Sequence, residues 1–423
     1  MAEIKVPFHR AAITKDEEDA VLDVLRSGWL TTGKYALEFE KEFSAAVSDT
    51  ENMKEARRSL SLSDSNITSL AVNSNTSGMI LAMEACGVKA GTAVITTPYT
   101  FVSTAACARH LNADVFFADV EKDNYSIDPD KIEEILKKDS QNGGVDGKGA
   151  HRIRAIVPVH IAGNICNMKR IMELAAQYST PEHKIRVIED AAHSFPSPTS
   201  LGYAGTIGDA GVFSFYVTKT ITTAEGGMVC TRDSDLARRM TVMRMHGMDR
   251  TTWDRYTSPR ASWEYDIVAP GYKFNLPDLL AAIGCCQVKR ANLFYEQRKH
   301  IVDIYNKAFS KLDFIKLPPD GEGNSWHLYL MRIIPEKLNI TRDEFAKKMQ
   351  TAGLGISVHF IPIFHFTYWR ELYPDFTAEN FPNAEYQYST TISIPLFPDM
   401  TEEQAQLVID TITQIGNENR RES

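Results

Sequence analysis

From Leu70 to Asp190 short apolar runs alternate with helix-like stretches, a pattern that few folds accommodate. Leu70-Ala71-Val72, Ala93 to Thr96, Val115 to Asp119, Ile153 to Val159 and Ile185 to Ile188 are predicted strands. Met79 to Cys86, Ser103 to His110, Pro129 to Lys138 and Met168 to Tyr178 are predicted helices. Short apolar strands separated by single helices make right-handed crossovers into a mostly parallel sheet with helices on both faces. No Gly-x-Gly-x-x-Gly opens these helices, so a dinucleotide-binding domain is unsupported.

Ligands of an open α/β sheet gather beyond the carboxyl ends of its strands. Ser74-Asn75-Thr76-Ser77-Gly78 falls at one such end and opens a helix, where free backbone N–H groups can hold a phosphate. Asp190 falls at another, followed by Ala191-Ala192-His193. A carboxylate there can keep a proton on a ring nitrogen, and two alanines leave room for a flat ring. The third is FSFYVTKTITTAEGGM (213–228): a buried strand at Val212 to Tyr216, a threonine-rich loop carrying Lys219, and a Gly226-Gly227 turn into a further apolar run. An amine that loses water between two strands has a lowered pKa, and a neutral amine attacks a carbonyl carbon to form a Schiff base. Ser214 is a possible second phosphate ligand, and Phe101 can stack on a ring. Each signal has an ordinary alternative, in turn a helix cap, a paired aspartate, a solvated lysine and a core aromatic. Taken together they fit pyridoxal 5′-phosphate, which needs a lysine, an aspartate on its pyridinium nitrogen, a phosphate cup and a stacking aromatic.

Composition limits the partners. The 423 residues carry 46 Lys and Arg against 55 Asp and Glu, a net charge of −9, which argues against nucleic acid or an anionic membrane surface. The six cysteines show no metal-ligand spacing. The start, MAEIKVPFHR, lacks an apolar leader and no run of about 18 apolar residues occurs, so a cytoplasmic protein is expected.

Outside the alternating region, capping boxes begin helices at Thr14, Thr341 and Thr401, and Ser234 is a plausible cap for a helix to Met245. Residues 48–66 are polar and read as an exposed, poorly ordered insertion. A long helix is expected from Asn275-Leu276-Pro277-Asp278 to Leu312, with Asn275 as its cap. Beyond it, Leu328 to Ile333 and Ile356 to Phe360 are predicted strands of a smaller α+β unit.

The chain resembles the DegT/DnrJ/EryC1 family of PLP-dependent sugar aminotransferases, of fold type I architecture, from about Val6 to Ile415. The resemblance rests on SGWLTTG (27–33), SNTSGM (74–79), TTPYTFVST (96–104), VPVHIAG (157–163), IEDAAHS (188–194), SFYVTKTITTAEGGM (214–228), MHGMD (245–249), GYKFNLPD (271–278) and IPLFPDMT (394–401). MHGMDRTTWDR, VAPGYKFNLPD and His193 are most similar to the branch that aminates C4 of UDP-4-keto-pentoses.

The resemblance implies a large PLP-binding domain (1–280) and a small C-terminal domain (281–423). It implies that Lys219 forms the Schiff base and shuttles the proton, while Asp190 pairs with the pyridinium nitrogen. His193 would contact the phenolic oxygen, Thr76, Ser77 and Ser214 would bind the phosphate, and Phe101 would stack on the ring. Asn275 would reach the phosphate of the neighbouring subunit's cofactor in a homodimer, in competition with its reading as a cap. The implied reaction moves an amino group from L-glutamate to a nucleotide-linked keto-sugar in amino-sugar and cell-surface polysaccharide (lipopolysaccharide) synthesis. Both substrates are anionic, so a local basic lining is expected from Arg250, Arg255, Lys34, Lys273 and Arg10, with Thr31, Thr32, His359 and His365 as further sugar contacts. Residues 48–66 and 140–150 are longer than the resemblance leads one to expect. A dehydratase of the same fold would carry histidine in place of Lys219, and a lyase or a non-catalytic PLP-binding regulator would show no amino transfer to a sugar.

Overall fold

The computed structural model describes residues 4–141, 144–249 and 264–421. Seven strands form the main sheet in the order β1-β9-β8-β5-β4-β2-β3. They are β1 (Thr68–Val72), β2 (Ala93–Thr96), β3 (Asp114–Phe117), β4 (Ile153–Ile156), β5 (Arg186–Asp190), β8 (Ala210–Ser214) and β9 (Gly227–Thr231). Neighbours from β3 through β2, β4, β5 and β8 run parallel, and β9 alone runs against both of its neighbours. β2 and β9 are buried along their whole length, as expected where helices cover both faces. β6 (Pro198–Thr199) and β7 (Gly202–Tyr203) form a short antiparallel hairpin.

The helices of the alternating region are α4 (Asn75–Ala85), α5 (Val102–His110), α6 (Pro129–Asp139) and α7 (Met168–Tyr178), followed by α8 (Ser234–Met243). α4 is apolar nearly all round because it is buried against the sheet. Its Gly78 is required there: a Cβ would stand 2.6 Å from Val212 Cγ1 and 2.8 Å from Val229 Cγ2. The cap of α8 is Asp233 rather than Ser234, because its carboxylate accepts from the N–H groups of both Asp235 and Leu236.

At the N-terminus, α1 (Lys15–Ser27) and α2 (Lys34–Ala46) pack on this unit, and the segment after them departs from expectation. Residues 48–66 contain a third helix, α3 (Glu51–Ser59), capped by Thr50. The segment is anchored through Arg57, only 1% exposed, whose guanidinium donates to the carbonyls of Ser63, Leu201 and Thr206 at 2.6, 2.9 and 3.2 Å. A single buried arginine thus orders a stretch whose composition reads as solvent-loving. In the other long loop, Arg152 and Lys148 pair with Asp114 and Asp146.

The expected long helix is two helices, α9 (Asp278–Lys289) and α10 (Ala291–Phe309), broken at Arg290. Arg290 turns its guanidinium to the buried Glu17 of α1 and to the carbonyl of Ala12, so the N-terminal segment is tied to the break. Asn275 does not cap α9. Leu276-Pro277 stays non-helical, and the Asp278 carboxylate turns back to accept from the N–H groups of Gly33, Tyr35 and Ala36 at 2.7, 3.2 and 3.0 Å. It serves the start of α2, where Gly33 has no side chain to cap with.

A second sheet, β10 (Ile315–Lys316), β11 (Tyr329–Ile333) and β12 (Thr391–Ile394), is antiparallel and builds its own core with α10. Val6 belongs to that core, and residue 280 falls inside α9. Residues 356–360 form no strand, only a single bridge from Ser357 to Ser393. The capping boxes at Thr14, Thr341 and Thr401 are present. Among the described residues, no helix is long and apolar enough to cross a membrane.

Candidate active site

A cavity of about 340 Å³ opens at the carboxyl ends of β1, β5 and β8. Its walls include Ser74 and Thr76 from the start of α4, Phe101 after β2, Asp190 and His193 after β5, and Ser214 and Lys219 after β8. His327, His359 and Phe360, from the chain after α10, close it. The volume suits a ring-sized cofactor with part of a substrate.

The backbone of the sheet sets the central geometry. β5 and β8 pair in parallel, with Asp190 opposite Val212. Lys219 follows seven residues after Val212, across a turn in which its N–H donates to the carbonyl of Tyr216 at 2.9 Å. Gly227 lets the next strand pass close beneath: a Cβ there would meet the Ser74 carbonyl carbon at 2.7 Å and the Asn75 nitrogen at 2.8 Å.

Asp190 is buried and accepts three hydrogen bonds. Thr104 Oγ1 donates to Oδ2 at 2.8 Å, while Asn75 Nδ2 and the Ala192 N–H donate to Oδ1 at 3.3 and 3.2 Å. Burial nevertheless holds its pKa above the usual carboxylate value, against the pull of those donors and of Lys219. Burial also pushes Lys219 down to about 8, with Asp190 opposing. At pH 7 about a tenth of that amine is therefore an unprotonated nucleophile, against far less than a thousandth for an ordinary lysine. His193 accepts the Ala162 N–H at Nδ1, at 3.1 Å, so its ring proton sits on Nε2. Burial, then the charge of Lys219, keeps this ring neutral.

These groups fit pyridoxal 5′-phosphate. A buried carboxylate whose three partners are neutral donors can take a ring N–H⁺, a buried amine faces the same space, and His193 presents one N–H. The phosphate end fits the start of α4, where Ser74 and Thr76 stand beside Ser214.

Other predicted residues lie elsewhere. Ser77 does not line the cavity: its N–H donates to Ser74 Oγ at 3.1 Å and its hydroxyl to Asn73 at 2.6 Å. Asn275 donates to Thr32 Oγ1 at 2.6 Å, and that hydroxyl donates to the carbonyl of Leu276 at 2.6 Å. Thr31 offers its carbonyl to the N–H of Asp278. None of these three lines the cavity. Arg10 pairs with Asp399 at 3.0 Å, Lys34 sits over the ring of Tyr35, Lys273 contacts Met245, and His365 pairs with Glu385 at 2.6 Å. The expected basic lining is thus absent from the described cavity walls, where Lys219 is the one lysine or arginine. Arg250 and Arg255 lie outside the described residues. Sequence reasoning missed Asn75, Thr104, His327 and Phe360. Thr104 lay inside the quoted TTPYTFVST, one turn into α5, and the spacing of a hydroxyl one turn after Phe101 was its only signal.

Comparison with known proteins agrees with this geometry. Residues 11–413 match the DegT/DnrJ/EryC1/StrS aminotransferase family. The spore coat polysaccharide biosynthesis protein SpsC of Bacillus subtilis is 36% identical over 413 residues, covering 97% of each chain. An uncharacterized protein of Methanocaldococcus jannaschii is 36% identical over 417 residues, covering 98% of each. The putative sugar aminotransferase Spr1654 of Streptococcus pneumoniae, in its PMP form, superposes with a TM-score of 0.84 at 26% identity, over 98% of this chain and 100% of that one. The chain belongs to the DegT/DnrJ/EryC1/StrS aminotransferase family, and it is a pyridoxal-phosphate-dependent aminotransferase.

Proposed function

We propose that the protein moves an amino group from L-glutamate to a nucleotide-linked keto-sugar, a UDP-4-keto-sugar, in amino-sugar and cell-surface polysaccharide synthesis. The observation that carries the reading is the placement of Lys219, Asp190 and His193 around one cavity, with Lys219 depressed to about 8. The sugar aminotransferase named in the Spr1654 structure and the polysaccharide pathway named for SpsC support the substrate class.

Pyridoxal phosphate supplies an electron-accepting ring when bound. The protein's part is positional and acid–base. Asp190 holds a proton on the ring nitrogen, and Thr104 and Asn75 hold Asp190. His193 donates from Nε2 toward the phenolic oxygen. Thr76 and Ser214 hold the phosphate, and Ser77 shapes that cup through its bond to Ser74. Phe101 stacks on the ring. With the cofactor bound, Lys219 would be the group that takes up and gives back the substrate's proton, so one amine could serve both half-reactions.

A homodimer belongs to this reading. Phe101, Tyr216 and Val217 are 58%, 45% and 39% exposed near the cavity mouth, which favours cover by a second copy. Asn275 would then turn from Thr32 to the phosphate of the neighbouring subunit. His359, Thr31, Thr32, Arg250 and Arg255 are the proposed sugar contacts. The two-unit division at residues 280 and 281 is part of the same proposal.

The test is spectroscopic. Yellow purified protein should bleach with L-glutamate and regain colour with a UDP-4-keto-sugar from a panel of nucleotide-linked keto-sugars. A protein that bleaches but is recoloured by no keto-sugar is not a sugar aminotransferase.

A further inference from the structure

Glu189 and Asp190 are consecutive in β5, so their side chains leave opposite faces of the sheet. Asp190 lines the cavity, and Glu189 is buried on the other side. The Glu189 carboxylate accepts from the N–H groups of Gly205, Ile207 and Gly208 at 2.8, 2.7 and 2.8 Å. Its fourth partner is His160, whose Nε2 lies 3.0 Å from Glu189 Oε2, with both side chains fully buried.

His160 opens a tight turn. Its N–H donates to the Asp190 carbonyl at 3.2 Å, and its own carbonyl accepts the Gly163 N–H at 3.1 Å. Inside the turn Ala162 stands at φ +60°, the left-handed region that a residue with a Cβ rarely adopts. Such a conformation persists only where its surroundings impose it, and such backbone gathers at functional sites. Here it aims the Ala162 N–H at His193 Nδ1, 3.1 Å away. The far end of the turn is held as well: the Gly163 carbonyl accepts the Ser325 N–H at 3.2 Å, and Ser325 Oγ donates to the His193 carbonyl at 2.5 Å.

An imidazole can carry its proton on either nitrogen, and the partner of one nitrogen decides what the other presents. His193 lines the cavity, and its Nδ1 is committed to Ala162. The left-handed turn therefore decides that Nε2 is the donor, and the pair of His160 with Glu189 ties that turn to the strand that carries Asp190.

We propose that His160 is a positioning residue: paired with Glu189 on the far face of the sheet, it holds the turn that aims the Ala162 N–H at His193 Nδ1 and so presents His193 Nε2 to the cofactor. The inference rests on the reading that His193 donates to the phenolic oxygen.

The experiment follows the absorbance of the bound cofactor against pH in the holoenzyme. It compares the parent with His160→Asn, whose amide stops short of Glu189, and His160→Gln, whose amide reaches the place of Nε2, each with and without His193→Phe. A donor lost from the phenolic oxygen leaves more negative charge there to hold a nearby proton, so the pH midpoint of the absorbance change should rise. His193→Phe should raise it by about one unit, His160→Asn by about half a unit or more, and His160→Gln by less than about a quarter of a unit. Added to His193→Phe, His160→Asn should move the midpoint no further, because it acts through a ring already gone. In cofactor-free protein, amide hydrogen exchange of the peptide over 160–164 should quicken in His160→Asn and not in His160→Gln. A parent-like midpoint in His160→Asn overturns the proposal, as does a shift of equal size with and without the His193 ring. Should His160→Asn not fold, Glu189→Gln weakens the same pair from its other side and is judged by the same two criteria. An unmoved midpoint in His193→Phe itself overturns the phenolic-oxygen reading and takes the inference with it, whereas a shift there with none in His160→Asn overturns the inference alone.

Discussion

Thr104 Oγ1 donates to Asp190 Oδ2 at 2.8 Å, and Thr100 Oγ1 lies 3.0 Å behind it in the same buried row of hydroxyls. The carboxylate is therefore aimed by a side chain from another strand–helix unit. A Thr104→Val substitution keeps the shape and removes the donor. Asp190 should become more basic and less well aimed, and turnover should fall roughly ten- to a hundred-fold, in line with about 1.5–3 kcal/mol for a hydrogen bond to a charged group. Cofactor retention on gel filtration should weaken while the melting temperature barely moves.

Lys219 sets a pH dependence. Its amine is neutral above about 8, so capture of added pyridoxal phosphate by cofactor-free protein should quicken as pH rises through that value and level off above it. Each unit below costs about ten-fold in neutral amine. Because the folded pKa lies below the ordinary 10.5, the unfolded chain binds more protons between the two values, and cofactor-free protein should gain stability from this group as pH rises from about 8 to 10.5. Lys219→Ala should abolish both capture and turnover, and a variant that keeps turnover would refute the assignment.

Gly78→Ala tests the contact between α4 and the sheet. The new methyl group would press on Val212 and Val229, costing about 1–3 kcal/mol by denaturant unfolding. The same displacement lifts Ser74 and Thr76 away from Ser214, so phosphate-end affinity should fall as well.

Arg57→Met tests the anchored segment at 48–66. Asp49 would keep Arg232 at 2.8 Å, but the carbonyls of Ser63, Leu201 and Thr206 would lose their donor. A loss on the order of 3 kcal/mol or more is expected by denaturant unfolding, with proteolytic cleavage opening between residues 48 and 66.

The alternation of apolar runs and helices was legible because period and length carry it, and the strand-end rule then brought Asp190, His193, Ser214 and Lys219 together. What stayed hidden depends on distant partners. Arg57 looked like one more charge in a polar stretch, since the carbonyls it binds lie up to 150 residues away. Asn275 leaves α9 uncapped and bonds Thr32, while Asp278 turns to the start of α2, whose Gly33 lies far earlier in the chain. The break at Arg290 follows from its tie to Glu17, and apolar periodicity runs straight through it. His327 and Phe360 reach the cavity from far later in the chain than Lys219, and no local pattern announces so distant a contribution.

The pairing of β5 with β8 has a consequence for how this protein can change over time. The spacing between carboxylate and amine is carried by main-chain bonds, those of the ladder and of the turn from Tyr216 to Lys219, which are indifferent to side-chain identity. The wall of His327, His359 and Phe360 hangs on separate segments with no share in that ladder. Replacements in the wall can therefore retune which acceptor is welcomed while the reactive pair keeps its spacing, so a lineage can acquire new sugars without rebuilding its chemistry.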